Sequence, residues 1–326
     1  RGTMSHLTVL FVPMTRSSAP EPSRDNDTAD ETAAPHDTLP CVLSFNASDP
    51  TGAGGVVSDA MVIASIGAHA LPVITGAYVR DTREMMGHAS LGDDAVAEQA
   101  GAVAEDIPLH AIKIGFVGSA EAVAAIAAFV SDYPAVPVVA YMPDLSWWSE
   151  DEIDNYLDAF RELLLPQVAV LVGNNTTLRH WLLPESTTDR RARATDLARA
   201  AGELGVSYVL VTGIPAVGDQ LGNVLASAQG ELFSQSYERI DAGFLGAGDI
   251  LSAALTALIA TGSELTEAVA EALQYLDQAL DHGFRPGMGR AVADRLFWAE
   301  SDDADSADDD APPSFDIPHP FNETKH

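Results

Sequence analysis

Three features of the chain predict an α/β protein built on one doubly wound, mostly parallel sheet with helices on both faces. Short β-rich runs alternate with stretches of helical spacing between residues 41 and 211. Several of the strand candidates are apolar throughout, as strands covered on both faces must be. With 326 residues and 47% hydrophobic content, the chain can supply a core for one large domain of this class.

The strands are expected at 41–45, 71–75, 111–114, 136–141, 168–172 and 208–211. Between them, apolar residues recur at helical spacing over 56–66, 93–105, 121–130, 152–165 and 188–204. That order is the alternation of a doubly wound fold. After residue 211 the pattern changes. Runs 221–227 and 231–235 flank Gln229-Gly230 and read as an antiparallel hairpin. Two long helices follow, 247–260 and 265–282. No internal repeat is visible. Residues 1–40 carry Ser, Pro, Asp and Thr with little periodicity and are expected to be a disordered extension. Residues 299–326 run through Asp302, Asp303, Asp305, Asp308, Asp309 and Asp310 to Pro312-Pro313 and are expected to be a disordered acidic tail. The folded domain is therefore placed at 41–298.

Charge is the compositional outlier. Seventeen basic residues stand against 48 acidic ones, for a net charge of -31, and Lys113 and Lys325 are the only lysines. Such a surface repels nucleic acid and anionic membranes, which excludes both as partners. It suits a salt-rich cytoplasm, where ions screen the self-repulsion. Cys41 is the only cysteine, so no intramolecular disulfide can form, which fits a reducing cytosol. It lies in an apolar run and reads as a buried structural thiol. No apolar stretch reaches the roughly 18–20 residues of a membrane span. The short apolar run 7–14 is too weak for a signal peptide. The expected location is cytoplasmic.

Chemistry is suggested first by Asp241-Ala-Gly-Phe-Leu-Gly246-Ala247-Gly248-Asp249, followed by an apolar helix. The unpaired N–H groups of Gly246, Ala247 and Gly248 at a helix start can hold a phosphate. Asp249 in the first turn can take a proton from a hydroxyl attacking that phosphate, or can merely complement the helix dipole. The first strand runs into Asn46-Ala-Ser-Asp49-Pro-Thr-Gly-Ala-Gly54-Gly, whose small residues let a ligand approach the backbone. No Gly-Lys-Ser/Thr follows, so it is not a Walker A loop. In open α/β sheets ligands bind beyond the carboxyl ends of the strands. Loops 46–55, 76–82 and 241–249 should converge there.

Taken in order, Asn46–Gly55, Gly67-Ala-His-Ala-Leu-Pro-Val-Ile-Thr75, Ile112-Lys113-Ile114-Gly115, Arg161-Glu-Leu-Leu-Leu-Pro166 and Gly246-Ala-Gly-Asp249 resemble the hydroxymethylpyrimidine/phosphomethylpyrimidine kinases of thiamine synthesis. These belong to the ribokinase-like superfamily, as do pyridoxal kinases. The resemblance covers roughly residues 41–285 and implies a ribokinase-like fold, a central mostly parallel sheet flanked by helices. It implies ATP and Mg²⁺ as cofactors, a small-molecule alcohol as substrate and, by analogy with relatives, a homodimer. Asp249 would be the catalytic base beside the anion hole of Gly246, Ala247 and Gly248. The substrate would meet Asn46, Asp49, Gly54, Tyr78, Arg80 and Phe116. ATP would lie near Asn174, Thr212 and Gly213.

The chain also departs from that pattern. Arg80 stands where the family has a glutamine resembling a reader of the aminopyrimidine edge, and arginine offers donors only. The family's Asp-Pro-Val-Met becomes Ala140-Tyr141-Met142-Pro143-Asp144, with Asp144 the candidate to replace the displaced metal-linked acid. The acid of Asn-Leu-Pro-Glu becomes Thr177, and the lysine of Lys-Gly-Gly becomes Thr212. Asp249, Thr212 and Arg80 keep a pyridoxal-type small-alcohol kinase in view, and the lost acids a catalytically degenerate ligand-binding protein. Lys113 reads as a substrate contact or a buried ion pair. Trp147 and Trp148 read as the anchor of a loop or of a dimer contact, or as a lid over a flat ring. His69, His88, His110 and His180 lack metal-like spacing and read as structural.

Overall fold

A run of apolar residues with period two opens the described chain. Along it Val42 turns to one face of the sheet, while Leu43 and Phe45 turn to the other. The computed structural model describes residues 39–183 and 192–299. The expected terminal extensions, apart from positions 39, 40 and 299, lie outside the described residues, as do positions 188–191 of the fifth helical stretch.

In chain order the elements are β1 (Cys41–Ser48), α1 (Gly55–Ile66), β2 (His69–Arg80), β3 (Met85–Ser90), α2 (Asp93–Ala104), β4 (Ala111–Ile114), α3 (Ala120–Ser131), β5 (Val138–Met142) and α4 (Glu150–Ala159). A π-helical turn, Phe160–Leu164, and a 3₁₀ turn, Leu165–Gln167, extend α4. Then come β6 (Val170–Asn174), α5 (Asn175–Leu182), α6 (Ala194–Glu203), β7 (Tyr208–Pro215), β8 (Gln220–Ser227), β9 (Gly230–Glu238), β10 (Phe244–Leu245), α7 (Ala247–Ala260), α8 (Leu265–Asp281) and β11 (Ala291–Val292).

Nine strands form one sheet in the order β3-β2-β1-β4-β5-β6-β7-β8-β9. Strands β2 through β7 of that order run parallel, and β3, β8 and β9 add antiparallel edges. One face packs on helices α2 to α6 through residues such as Ile126, Tyr156, Leu178 and Leu197. The other packs on α1, α7 and α8 through Ile63, Leu251, Leu255 and Leu273. Helix α7 is buried without a break from Asp249 to Leu258, which is why it lacks a polar stripe.

The central, mostly parallel sheet flanked by helices that the sequence predicts is present, with three differences. The stretch 76–80, expected as loop, continues β2, and β3 pairs with it. Helix α5 was not expected. The helix expected at 152–165 begins at Glu150 and ends in the π and 3₁₀ turns.

Three strand irregularities gather at the same end of the sheet. The β1/β2 register slips between Asn46 and Ala47, leaving Thr75 as the extra residue of β2. The β2/β3 register slips at Arg80, and the β7/β8 register slips between Val211 and Ile214. Bulges re-aim side chains and end regular pairing. All three flank the candidate site.

Candidate functional site

The α7 start is held open for a ligand by backbone geometry. Gly246 adopts φ 75°, and a β-carbon there would collide with the Ala53 carbonyl. Loop 49–54 and the α7 N-terminus are thus in backbone contact, which requires glycine. No side chain caps α7, so its first N–H groups remain available to an anion.

Asp249 does not cap its own helix. Its Oδ1 accepts from Lys113 Nζ at 3.0 Å and from Asn46 Nδ2 at 2.8 Å, and its Oδ2 accepts from the Gly55 N–H at 3.1 Å. Lys113 Nζ also donates to Asp59 Oδ1 at 2.6 Å, and Asn46 Nδ2 to Asp59 Oδ2 at 3.0 Å. Ser44 Oγ donates to Asp59 Oδ2 at 2.7 Å. Lys113, Asn46 and Asp59 are fully buried. Burial pushes the Asp59 carboxyl up to about 6 against the pull of Lys113. Burial would raise Asp249 as well, but the charge and hydrogen bond of Lys113, together with the Gly55 and Asn46 hydrogen bonds, outweigh it and hold Asp249 below the ordinary carboxylate value. Lys113 loses by desolvation and gains more from its two carboxylates, so its own value rises. Of the two readings of Lys113, the buried ion pair is the one observed.

Asp249 reaches solvent on one side only, at the floor of a cleft of about 320 Å³. Gly54, Tyr78, Arg80, Tyr141, Asp144 and Gly246–Asp249 all line it, so segments 46–55, 76–82 and 241–249 meet there, as expected at the carboxyl ends of the strands, and the end of β5 joins them. Arg80 is paired with Asp49 at 3.6 Å, and its buried Nε has no partner among the described residues. Asp49 is otherwise engaged by the Thr51 hydroxyl and by the N–H groups of Thr51 and Gly54. Tyr141 lies against Gly248, where a β-carbon would fall onto its ring. Burial and the nearby Asp249 and Asp144 raise the Tyr141 phenol well above its ordinary value, so it is a donor and not an anion.

Three expected substrate contacts lie behind the cleft wall. Asn46 is fully buried and spends its amide on Asp59, Asp249 and the Ala47 and Phe116 N–H groups. Asp49 is 3% exposed and holds Arg80 and the glycine loop. Phe116 is 2% exposed and stacks on Tyr78, with ring centroids 5.3 Å apart. All three support lining residues. Trp147 and Trp148 pack on Phe116 and His88, which anchors their loop, and Trp147 also lines the cleft. Asp59 and Arg290 escaped sequence reasoning. Asp59 is an acid on the apolar stripe of α1 with Val56 and Ile63, and a lone lysine among apolar residues was the signal that it needed such a partner.

A second cavity, about 220 Å³, adjoins the first. It is lined by Thr212, Gly213, Asn223 and apolar residues of α8, and it shares Asn174, Thr212 and Phe244 with the Asp249 cleft. The pairing of Asn174 with Thr212 brings these two together, and the Gly213 φ of 68° turns the strand there. Thr177 lines a third cavity, of about 840 Å³, which shares Tyr141, Pro143, Asp144 and Asn174 with the Asp249 cleft. Asp144 lies exposed between them, its carboxylate accepting from the Ser146 N–H at 2.9 Å and hydroxyl at 3.1 Å. Among the described residues no group of three or more His, Cys, Asp or Glu could by itself hold a metal ion. A Mg²⁺ bound mainly through phosphates and water needs only one or two protein carboxylates, and Asp144, an exposed acid lining the Asp249 cleft, fits that role.

A family profile described as phosphomethylpyrimidine kinase matches residues 49–294. The hydroxymethylpyrimidine/phosphomethylpyrimidine kinase of Streptomyces coelicolor is 28% identical over 265 residues, 80% of this chain and 96% of that protein. The Mycobacterium tuberculosis protein of the same name is 28% identical over 277 residues, 81% of this chain and 97% of the relative. The structure of Bacillus subtilis pyridoxal kinase in its ADP complex superposes with a TM-score of 0.71 at 21% identity, covering 81% of this chain and all of that one. Phosphomethylpyrimidine kinase from Clostridium difficile gives 0.59 at 23% identity, over 72% of this chain and 98% of its own. These likenesses to solved structures establish the fold as ribokinase-like. With the profile spanning most of the folded region and the glycine turn, cleft and strand order in place, the chain belongs to the phosphomethylpyrimidine kinase family.

Proposed function

We propose that this chain uses ATP to phosphorylate hydroxymethylpyrimidine and its monophosphate in thiamine biosynthesis, with Asp249 as the base. The observation that carries the reading is the junction of two cavities at Asn174, Thr212 and Phe244, with the uncapped α7 start and Asp249 on the floor of one of them. Phosphoryl transfer needs two substrates brought in line and the transferred charge stabilised, and little else from the protein. The acceptor would occupy the cleft bounded by Gly54, Tyr78 and Arg80. The nucleotide would lie along Asn174, Thr212 and Gly213, and its γ-phosphoryl group would meet the N–H groups of Gly246, Ala247 and Gly248. When bound, Mg²⁺ would neutralise phosphate charge, with Asp144 as its protein ligand. Lys113 and Asn46 occupy Asp249 Oδ1, so Oδ2, which accepts only from the Gly55 N–H, would be the oxygen to receive the acceptor's proton.

Arg80 favours a second reading, a pyridoxal-type small-alcohol kinase, because it presents donors where an aminopyrimidine needs an acceptor. Both readings share a salt-rich cytoplasm as the setting and a homodimer as the assembly. Turnover of ATP with Mg²⁺ is to be measured on hydroxymethylpyrimidine, its monophosphate and pyridoxal. The preferred acceptor decides between the readings, and Asp249→Asn should reduce turnover by roughly two to four orders of magnitude. Tight binding of all three without turnover would instead support a ligand-binding protein.

A further inference from the structure

The proposed reaction uses Asp249 and leaves a second buried carboxylate without a task. Asp59 on α1 touches Lys113, Asn46 and Ser44, and is fully enclosed. Lys113 and Asn46 each bridge Asp59 to Asp249, so the two acids compete for the same donors. One cation facing two carboxylates leaves a buried cluster one negative charge in excess. A lysine serving only the fold is better matched by a single acid, because excess buried charge costs stability. The surplus therefore asks for a reason.

We propose that Asp59 is a positioning residue, a counter-charge that divides Lys113 between two carboxylates and so keeps Asp249 basic enough to accept the acceptor's proton. The proposal rests on the phosphoryl-transfer reading. In that step the acceptor hydroxyl gives its proton to Asp249 while its oxygen bonds to the γ-phosphorus. The bond from that phosphorus to the β–γ bridging oxygen breaks, and ADP leaves with the electron pair. Asp249 passes from anion to neutral acid. With Asp59 present, what remains beneath it is a balanced Lys113–Asp59 pair. Without Asp59, the same proton transfer would strand Lys113 as an unpaired buried cation, and the protein would resist it.

The other groups around Asp249 cannot replace Asp59. Tyr78 on β2 and Tyr141 on β5 are held as neutral phenols by burial and by Asp249 itself. Arg80 at the end of β2 is matched by Asp49 from the glycine loop. Asp144 beyond β5 and Arg290 line the open part of the cleft, where solvent screens them. Among the described residues Asp59 is the one other carboxylate paired with Lys113, and it does not line the cleft.

The test is Asp59→Asn in the full-length protein, with two measurements. In the first, the acid limb of the kcat/KM profile should move down by about one pH unit, with kcat falling roughly tenfold and KM for ATP unchanged. In the second, ¹³C-aspartate-labelled protein without ligands is titrated by NMR, the Asp249 carboxyl being assigned by its loss in Asp249→Asn. Its titration should move down by a similar interval in Asp59→Asn and stay near wild type in Asp59→Glu, which keeps the charge. If the asparagine variant is unfolded, Asp59→Ser removes the same charge from a smaller side chain and is read in the same way. An unmoved Asp249 titration in a folded, charge-removed variant overturns the proposal. Absence of turnover in the wild-type protein would instead defeat the kinase reading, and the carboxyl titration would still decide the role of Asp59.

Discussion

The ring of Tyr141 lies directly against the backbone of Gly248, at the point where a β-carbon would stand. The two residues come from β5 and the first turn of α7, so their contact fixes how wide the phosphate site can be. Gly248→Ala must move either the phenol or the helix start. Overpacking of this kind costs about 1–3 kcal/mol, and a displaced helix start should lower kcat by roughly tenfold or more. In the Tyr141→Ala background the same alanine should cost little. A double-mutant cycle on unfolding free energy and kcat measures the coupling. Equal costs in both backgrounds would mean that the contact does not shape the site.

Arg80 is the residue on which acceptor choice turns. It lines the cleft and leans on Asp49 at 3.6 Å, while Asp49 keeps the glycine loop through Thr51 and Gly54. Arg80→Gln should therefore leave the loop folded and restore an acceptor for an exocyclic amine. KM for hydroxymethylpyrimidine should fall by roughly tenfold, the worth of one good hydrogen bond to a ligand. Affinity for an acceptor carrying a phosphate should fall in the opposite sense. If neither constant moves, Arg80 serves Asp49 and does not read the substrate.

How far the sequence reveals this molecule depends on whether a signal is local. The parallel strands and the helices α1, α3 and α7 were legible because apolar periodicity and burial coincide in them. The edge strand β3 was not, since Met85–Ser90 is largely exposed and broken by Gly87. Helix α5 hid behind its own cap: Asn174-Asn175-Thr176-Thr177 reads as loop, yet the Asn174 side chain accepts from the Thr176 N–H and starts the helix. Gly54, Tyr78, Arg80 and the Gly246–Asp249 turn could be placed at the cleft because strand ends predict where ligands bind. Asn46 and Phe116 could not be separated from them, because facing the cleft or standing one layer behind it depends on the bulge at Thr75. Asp59 and Asp249 are far apart in sequence, and no spacing rule links an acid on α1 to one on α7.

Lys113 offers a stability prediction with a definite sign. Lys113→Met would leave Asp59 and Asp249 facing each other without a cation, which should cost roughly 3–5 kcal/mol near neutral pH. In that variant both carboxyls would titrate above their unfolded values. Stability would then be highest at low pH and lost as pH rises through the elevated folded values. In wild type the two acids act in opposite senses. Asp59, at about 6 against 3.8, favours the fold at low pH and loses that contribution as pH rises between those values. Asp249, held low, contributes above its unfolded value and loses that as pH falls through its folded one. Denaturant unfolding at pH 5 and pH 7.5 should show a much smaller deficit for the variant at pH 5. An equal deficit at both would mean that Lys113 is not neutralising the pair.

The net charge of -31 makes stability sensitive to salt. Few surface cations are present to form pairs that salt would weaken. The exposed ion pairs among the described residues are those of Arg83, Arg161, Arg193 and Arg199 with nearby aspartates, and exposed pairs of this kind contribute about 0–1 kcal/mol each. Repulsion among the remaining acids outweighs these pairs, and it is long-ranged at low ionic strength. The screening length falls from roughly 10 Å at 0.1 M to about 3 Å at 1 M. In the central cluster Lys113 and Asp59 are fully buried and only Asp249 is slightly exposed, so it should feel little of this change. Raising KCl from 0.1 M to 2 M should therefore raise the melting temperature by several degrees. For a domain of this size that corresponds to about 1–3 kcal/mol at roughly 2–4 °C each. Guanidinium is unsuitable as the denaturant because it is itself a salt, so thermal or urea unfolding should be used. A melting temperature that stays flat or falls with KCl would show that the acidic surface carries no salt-dependent penalty, and the reading of a salt-rich cytoplasm would go with it.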